Sequence, residues 1–219
     1  MSSKISVSVI VPTFNQELYL GRCLRSLLNQ TLERDQYEII VVDDGSKKKT
    51  STILSAFKDE ISMVNNKKNM GLPYSLNKGI KISKGRFVVR VDADDYVNKN
   101  FLEYLQMNLL YNSEMEAVCC DYYLVNDKEK VIKKMNASKS PIGCGIMFRI
   151  ESLIKIGLYD SSFKVHEDKD LRIRFLRNYK IDRVSLPLYR YRMHSNNITK
   201  NKKKMEKHYK KLLKKHKKK

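Results

Sequence analysis

Acidic residues gather at three points of this chain, and each gathering has the residue types that bind cations, hold nucleotides or move protons. Asp92-Ala93-Asp94-Asp95 places three carboxylates in four positions. Carboxylates packed so closely repel one another unless a cation or hydrogen-bond donors offset the charge. Hard oxygen ligands of this kind suit Mg²⁺ or Mn²⁺, which keeps waters and shares a substrate's diphosphate. In Asp43-Asp44-Gly45-Ser46 an acid follows an apolar run. Such an acid accepts from a ribose hydroxyl or a base N–H, and Gly45 lets backbone approach a ligand. The third point is His166-Glu167-Asp168. Singly, each has a plainer explanation: a solvated turn with Asp95 capping the next helix, a turn with an N-cap, and an acidic first turn that favours its own helix dipole.

The elements that must position these acids follow from hydrophobic periodicity. Ile5 to Val11 alternates and then runs apolar, as a buried parallel strand does, and stops at Pro12-Thr13-Phe14-Asn15. Leu18, Cys23, Leu24, Leu27 and Leu28 recur at helical spacing, and a second apolar run, Tyr37 to Val42, ends at Asp43. A helix through Ile53, Leu54 and Phe57, a short strand near Ser62 to Asn65, a helix from about Pro73 to Ile82 and a strand from Arg86 to Val91 follow. This alternation predicts an α/β fold, a mostly parallel central sheet flanked by helices, with ligands outside the carboxyl ends of its strands. Two of those ends are acidic. After a helix from Asn100 to Asn112, strands over Ala117–Val125 and Lys130–Met135 meet at a turn, Asn126-Asp127, and the βαβ rhythm breaks. The absence of GxGxxG between the first strand and helix argues against a dehydrogenase.

The joint pattern resembles the inverting glycosyltransferases of family 2, which have the GT-A fold. The matching pieces are Val9-Ile10-Val11-Pro12-Thr13-Phe14-Asn15, Val41-Val42-Asp43-Asp44-Gly45-Ser46, Asn69 with Gly71, and Asn77-Lys78-Gly79-Ile80. Further along come Gly85 leading to Val91-Asp92-Ala93-Asp94-Asp95, then Glu167-Asp168 followed by Asp170-Leu171 and Arg174. The resemblance covers roughly residues 5 to 195 and implies a transfer of sugar from a nucleotide-sugar donor to an acceptor hydroxyl, saccharide or lipid-linked, in polysaccharide or glycolipid synthesis. It implies that Pro12, Thr13 and Asp44 contact the nucleoside, that Asp92, Ala93 and Asp94 address the donor ribose and an Mn²⁺ or Mg²⁺ cofactor, and that Asp168 is the general base. Arg192 and His194, in Tyr191-Arg192-Met193-His194, resemble the family's late basic segment and are candidates for diphosphate contacts. The run Gly143-Cys144-Gly145 is placed on the acceptor side of the cleft. Two departures stand out. Leu76 precedes Asn77 where many relatives carry arginine, and Lys47-Lys48-Lys49 follows the Asp43-Asp44-Gly45-Ser46 turn.

At 219 residues the chain suits one domain with an appendage. The net charge of +20 would suggest nucleic acid, but residues 200–219 hold twelve lysines and one glutamate and so carry +11 of it. We therefore expect a catalytic domain over residues 1–199, a lysine-rich tail over 200–219, and no nucleic-acid partner. Met205, Tyr209, Leu212 and Leu213 give that tail a narrow apolar stripe, suited to an anionic leaflet. With no apolar stretch near the roughly 20 residues of a membrane span, the expected location is cytoplasmic or peripheral at the inner membrane face. Competing readings are a nucleotidyltransferase, which usually opens with a glycine-rich phosphate loop that Pro12-Thr13-Phe14-Asn15 does not offer, a degenerate nucleotide-binding domain, and a basic nucleic-acid-binding protein. The four cysteines read as reduced core residues.

Overall fold

The computed structural model describes residues 5–194 and 202–217, so the domain boundary expected at 199/200 lies outside the described residues. Strands β1 (Val7–Thr13) and β2 (Tyr37–Asp43) are buried at every position, and their sequences run apolar because a strand covered on both faces has no solvent side. Within them the register partners Ser8 and Glu38 satisfy each other, Ser8 Oγ donating to Glu38 Oε1 at 2.6 Å. Lys84 N donates to Glu38 Oε1, and Gly85 N to Ser8 Oγ.

Strand β1 pairs in parallel with β2 and with β4 (Phe87–Arg90), and β2 pairs in parallel with β3 (Ser62–Asn65). Helices α1 (Leu20–Leu28), α2 (Lys48–Ser55) and α3 (Leu72–Ile82) make the crossovers. The order β3-β2-β1-β4 takes the chain away on one side of β1 and returns it on the other. That reversal opens a crevice at the carboxyl ends of β1 and β4, where α/β proteins bind ligands. Leu76, the departure noted above, is a core residue of α3 with no exposed surface.

The second half extends the same sheet with mixed pairing. Strand β8 (Ile146–Arg149) lies antiparallel between β4 and β6 (Ala117–Val125). Strand β9 (Ile181–Arg192) runs parallel to β6, while β7 (Val131–Met135) and the short β5 (Tyr96–Val97) add antiparallel edges to β6 and β9. The hairpin from β6 to β7 imposes antiparallel pairing, because so short a connection cannot return a parallel strand. Pro187 falls where the β6–β9 register shifts, a place where a strand tolerates a missing N–H. Helix α4 (Phe101–Tyr111) covers one face through Phe101, Leu102, Leu105 and Leu109. A short α5 (Ile150–Lys155) and α6 (Glu167–Phe175) precede β9. All four cysteines are buried and free.

The lysine-rich segment forms helix α7 (Lys202–His216), which packs on the loop before α6. Leu212 is buried, whereas Tyr209 and Leu213 of the same stripe stay more open. Lys211 Nζ donates to Ser162 O at 2.7 Å, Lys215 pairs with Asp160 and Asp170, and His216 Nε2 lies 2.9 Å from Asp170 Oδ1. Among the described residues no helix is long and apolar enough to cross a membrane.

Candidate functional site

The carboxyl ends of β1 and β2 are latched together by Asp44 N donating to Thr13 O at 2.9 Å. Pro12 and Thr13 are buried there, and Thr13 Oγ1 has no hydrogen-bond partner. An unanswered buried hydroxyl is uncommon, and a strand end facing a crevice is where a ligand would answer it. Asp44 is only 4% exposed, and its carboxylate accepts from Asn66 Nδ2, Met70 N and Gly71 N, each at 2.8 Å. It thus shapes the 66–71 loop that carries Asn69 and Gly71. Gly45 serves the same loop: at φ +79° a Cβ would lie 2.7 Å from the Lys68 carbonyl carbon. Serine at 46 ties the first loop to this turn, its Oγ accepting from Asn15 N.

Beyond β4 the acidic cluster is held from both sides. Arg90 forks onto Asp92, Nε to Oδ1 at 2.6 Å and Nη2 to Oδ2 at 2.9 Å. Burial works against the Arg90 charge, but Asp92 and Glu167 outweigh it and hold the guanidinium firmly protonated. Asp94 Oδ2 lies 2.8 Å from His194 Nε2; burial and the Asp92 charge push its carboxyl up, against the pull of that histidine. Asp95 does not cap α4, whose N-cap is Asn100. It anchors β9 instead, accepting from Arg192 N at 2.8 Å and Tyr189 OH at 2.7 Å. Burial, followed by the charges of Asp94 and Asp92, raises it well above the usual carboxylate range. Ala93, between these acids in sequence, is buried.

This donor set fits a hard divalent cation. Burial first, and then the charges of neighbouring acids, push the Asp94 and Asp95 carboxyls upward, and a cation relieves both effects. Asp92, Asp95 and Cys144 bring ligand atoms within 4.8 Å of one another. Both Asp95 oxygens are already hydrogen-bonded, however, and burial, then Asp92 and Asp95, keep the Cys144 thiol protonated. A neutral thiol is a poor partner for Mg²⁺ or Mn²⁺. Asp92 meets the same limit as Asp95, both its oxygens being forked by Arg90, whereas Asp94 is engaged by His194 at Oδ2; an oxygen accepting one hydrogen bond still keeps a lone pair for a cation.

The late basic segment does reach the cluster. His194 contacts Asp94 and packs its ring against Tyr19, tilted by 40° with 5.0 Å between ring centroids. Arg192 is 2% exposed, and its guanidinium donates to Asp94 O, Asp127 O and Glu129 Oε1. In this conformation it braces the turn at residues 126–130 against the acidic cluster.

Across the crevice, Arg90 Nη1 donates to Glu167 Oε1 at 3.1 Å. One guanidinium therefore ties the cluster after β4 to the first turn of α6, 77 residues away. Glu167 is almost fully buried, which raises its carboxyl despite Arg90. Asp168, next to it, is half-buried on the pocket side. The chain enters α6 through His166 in the left-handed region, φ 64°, a conformation costing a non-glycine residue about 1–2 kcal/mol. Its ring answers Met205 O of α7 at 3.1 Å. Gly143 lies against the candidate base: a Cβ there would sit 2.6 Å from Asp168 Cβ and 3.2 Å from Arg90 Nη1. Asn77 brackets the peptide of Tyr159 in the approach to α6, donating to its O and accepting from its N.

Sequence reasoning passed over Arg90, Tyr189 and the packing role of Gly143. Arg90 did carry a signal, being a lone charge in an otherwise apolar, buried strand, where charges are kept only when paired.

Comparison with known proteins gives consistent results. The model of the family described as Glycosyl transferase family 2 matches residues 8–217. An uncharacterized glycosyltransferase of Rickettsia typhi is 34% identical over 190 residues, covering 78% of this chain and 58% of that protein. S. aureus TarS residues 1–349 in complex with UDP-GlcNAc superposes with a TM-score of 0.77 at 23% identity, over 90% of this chain and 61% of that one. The mannosyltransferase PcManGT of Pyrobaculum calidifontis, in complex with GDP-Man and Mn²⁺, gives 0.76 at 18% identity, over 95% and 63%. The fold is that of these GT-A proteins, and the chain spans about 60% of the length of each.

Proposed function

The chain belongs to glycosyl transferase family 2, and from that premise we propose that it moves a sugar from a nucleoside-diphosphate sugar to an acceptor hydroxyl, with inversion and with metal assistance. The observation that carries the proposal is the Arg90 bridge, which joins the acidic cluster to the Glu167-Asp168 turn and so makes one cleft of the donor and acceptor sides. Relatives with UDP-GlcNAc or GDP-Man and Mn²⁺ in their structures support the donor class.

In this mechanism the nucleoside lies over Pro12, Thr13 and the Asp44 turn, where Thr13 Oγ1 gains the partner it lacks. Asp92 and Asp94 would hold Mn²⁺ or Mg²⁺, and such an ion, when bound, would supply Lewis-acid stabilisation to the departing diphosphate. His194, at Asp94, adds a donor beside the same charge, and Arg192 fixes the backbone of Asp94. Asp168 takes the proton of the acceptor hydroxyl as its oxygen attacks the anomeric carbon from the face opposite the leaving group. No hydrogen bond or ion pair among the described residues occupies the Asp168 carboxylate, which leaves it open for that proton. Arg90 and Gly143 set where it stands.

The exposed lysines of α7, among them Lys203, Lys207, Lys210 and Lys214, add a peripheral contact with anionic lipid to the proposal. Vesicle binding that survives deletion of residues 200–219 would remove that part.

The test is donor hydrolysis by the purified chain across a panel of nucleotide sugars with Mn²⁺ or Mg²⁺, alongside Asp94→Ala and Asp168→Asn. Metal-dependent release of one nucleoside diphosphate, lost in Asp94→Ala, is the expected result. No release, with no metal-dependent nucleotide binding by calorimetry, rejects the enzyme reading in favour of a degenerate binding domain.

A further inference from the structure

A small cleft of about 50 Å³ is lined by Asp168, by largely apolar walls that include Ile142, Ile146, Phe148 and Leu171, and by the cations Lys169 and Arg172. A space of that size holds a few waters or one group the size of a phosphate, taking about 10–15 Å³ for each water. Arg172 stands one turn after Asp168 on α6, so the two share a helix face, yet no ion pair joins them. Its Nη1 is buried without a hydrogen-bond partner.

That condition sets Arg172 apart from its neighbours. Arg174 is paired with Asp170 and two carbonyls, Arg183 with Asp121, and Arg90 with Asp92 and Glu167. A guanidinium is always charged, and leaving one of its buried N–H groups unanswered is costly, so such a group marks a place where a partner arrives from outside the fold. Only three buried side-chain atoms lack partners among the described residues, and one of the other two is Thr13 Oγ1 at the nucleoside end of the cleft.

We propose that Arg172 and the cleft beside Asp168 form an acceptor subsite for an anionic group, a phosphate or carboxylate carried next to the hydroxyl that is glycosylated. The inference rests on the glycosyltransferase reading above and deepens it by naming an acceptor class. A planar guanidinium matches the two oxygens of such a group. The apolar walls keep water from competing and favour an acceptor that carries its charge on an otherwise uncharged body. Helix α6 then presents the base and the acceptor's anchor one turn apart, so the anchored group fixes how far the hydroxyl stands from Asp168.

The experiment uses the full chain with its best donor and matched acceptors, glycerol against glycerol 1-phosphate and glucose against glucose 6-phosphate, with acceptor-free donor hydrolysis as the internal reference. The subsite predicts that the phosphorylated member of a pair is preferred, and that Arg172→Gln erases about ten- to hundredfold of that preference through KM while acceptor-free hydrolysis is unchanged. Arg172→Lys is expected to recover part of it. In the unaltered protein, inorganic sulfate should inhibit competitively against the phosphorylated acceptor and not against the donor, which tests the site without relying on a variant that folds. If donors are hydrolysed but the paired acceptors are used equally and sulfate shows no such competition, the subsite is wrong and the enzyme reading stands. If no donor is hydrolysed at all, the underlying reading has failed.

Discussion

Replacing Arg90 with glutamine tests the idea that one guanidinium holds the two sides of the cleft together. The side chain is 10% exposed and makes three charge-assisted hydrogen bonds, two to Asp92 and one to Glu167, whose side chains are 22% and 7% exposed. Breaking a buried pair by removing one partner costs about 3–5 kcal/mol, because the remaining charge stays buried. Here two carboxylates would remain, facing each other. Asp92 has some access to water and Glu167 can take a proton, so we expect the lower part of that range. For a chain of this size, a loss of about 3 kcal/mol lowers Tm by about 6–12 °C. Without Arg90 the Glu167 carboxyl, already raised by burial, rises further. A carboxyl raised above its unfolded value contributes stability when protonated and loses it as pH rises, so the deficit should grow between pH 5 and pH 8. The assay is urea unfolding of the wild type, Arg90→Gln, Glu167→Gln and the double variant at both pH values. A loss below about 1 kcal/mol that does not vary with pH, or strictly additive effects in the cycle, would refute the bridge.

Other consequences follow from the same geometry. Gly143→Ala places a methyl group 2.6 Å from Asp168 Cβ, so transfer should fall at least tenfold while nucleotide binding by calorimetry is retained. Helix α7 should detach on acidification. Burial disfavours ionised Asp160 and Asp170, but Lys215, with Ser162 or His216, outweighs it and holds both carboxyls low, while burial and Lys169 lower His166. Groups with depressed folded values stabilise the docked helix at neutral pH and lose that contribution as pH falls, so proteolysis between residues 202 and 217 should accelerate in acid. The buried thiols should resist alkylation in the folded chain, since burial raises Cys119 to about 11 and Cys144 well above its usual value; modification at the rate of a free thiol at pH 8 would contradict their packing.

The parallel half of the fold was legible because its strands are buried on both faces and its helices keep one apolar stripe. The expected strands at Ser62–Asn65 and Ala117–Val125 coincide with β3 and β6, and the expected helix near Pro73–Ile82 is α3. Strands β5 and β8 and helix α5 are too short to show a period, and β9 alternates poorly because it bends at Pro187. The acids were visible as motifs, but their division of labour was not. Asp95 looks equivalent to Asp94 in sequence, and only the approach of Tyr189 and Arg192, from almost 100 residues away, makes it structural. Asp44 likewise spends its oxygens on the 66–71 loop, a contact that no local pattern announces. The lysine tail could be read as a helix, yet its docking depends on Asp160, in the loop before α6, and on Asp170 of α6, both far earlier in the chain.

In the proposed mechanism Asp168 is the base for an inverting transfer in the cleft bridged by Arg90. The direct measurement is the anomeric configuration of the transfer product by proton NMR, made with the wild type and with Asp168→Asn. The expected product has the configuration opposite to the donor's, and the expected rate is lower by about 10²–10⁴ in Asp168→Asn with nucleotide affinity preserved. A product that keeps the donor's configuration, or full turnover without the Asp168 carboxylate, would contradict that mechanism.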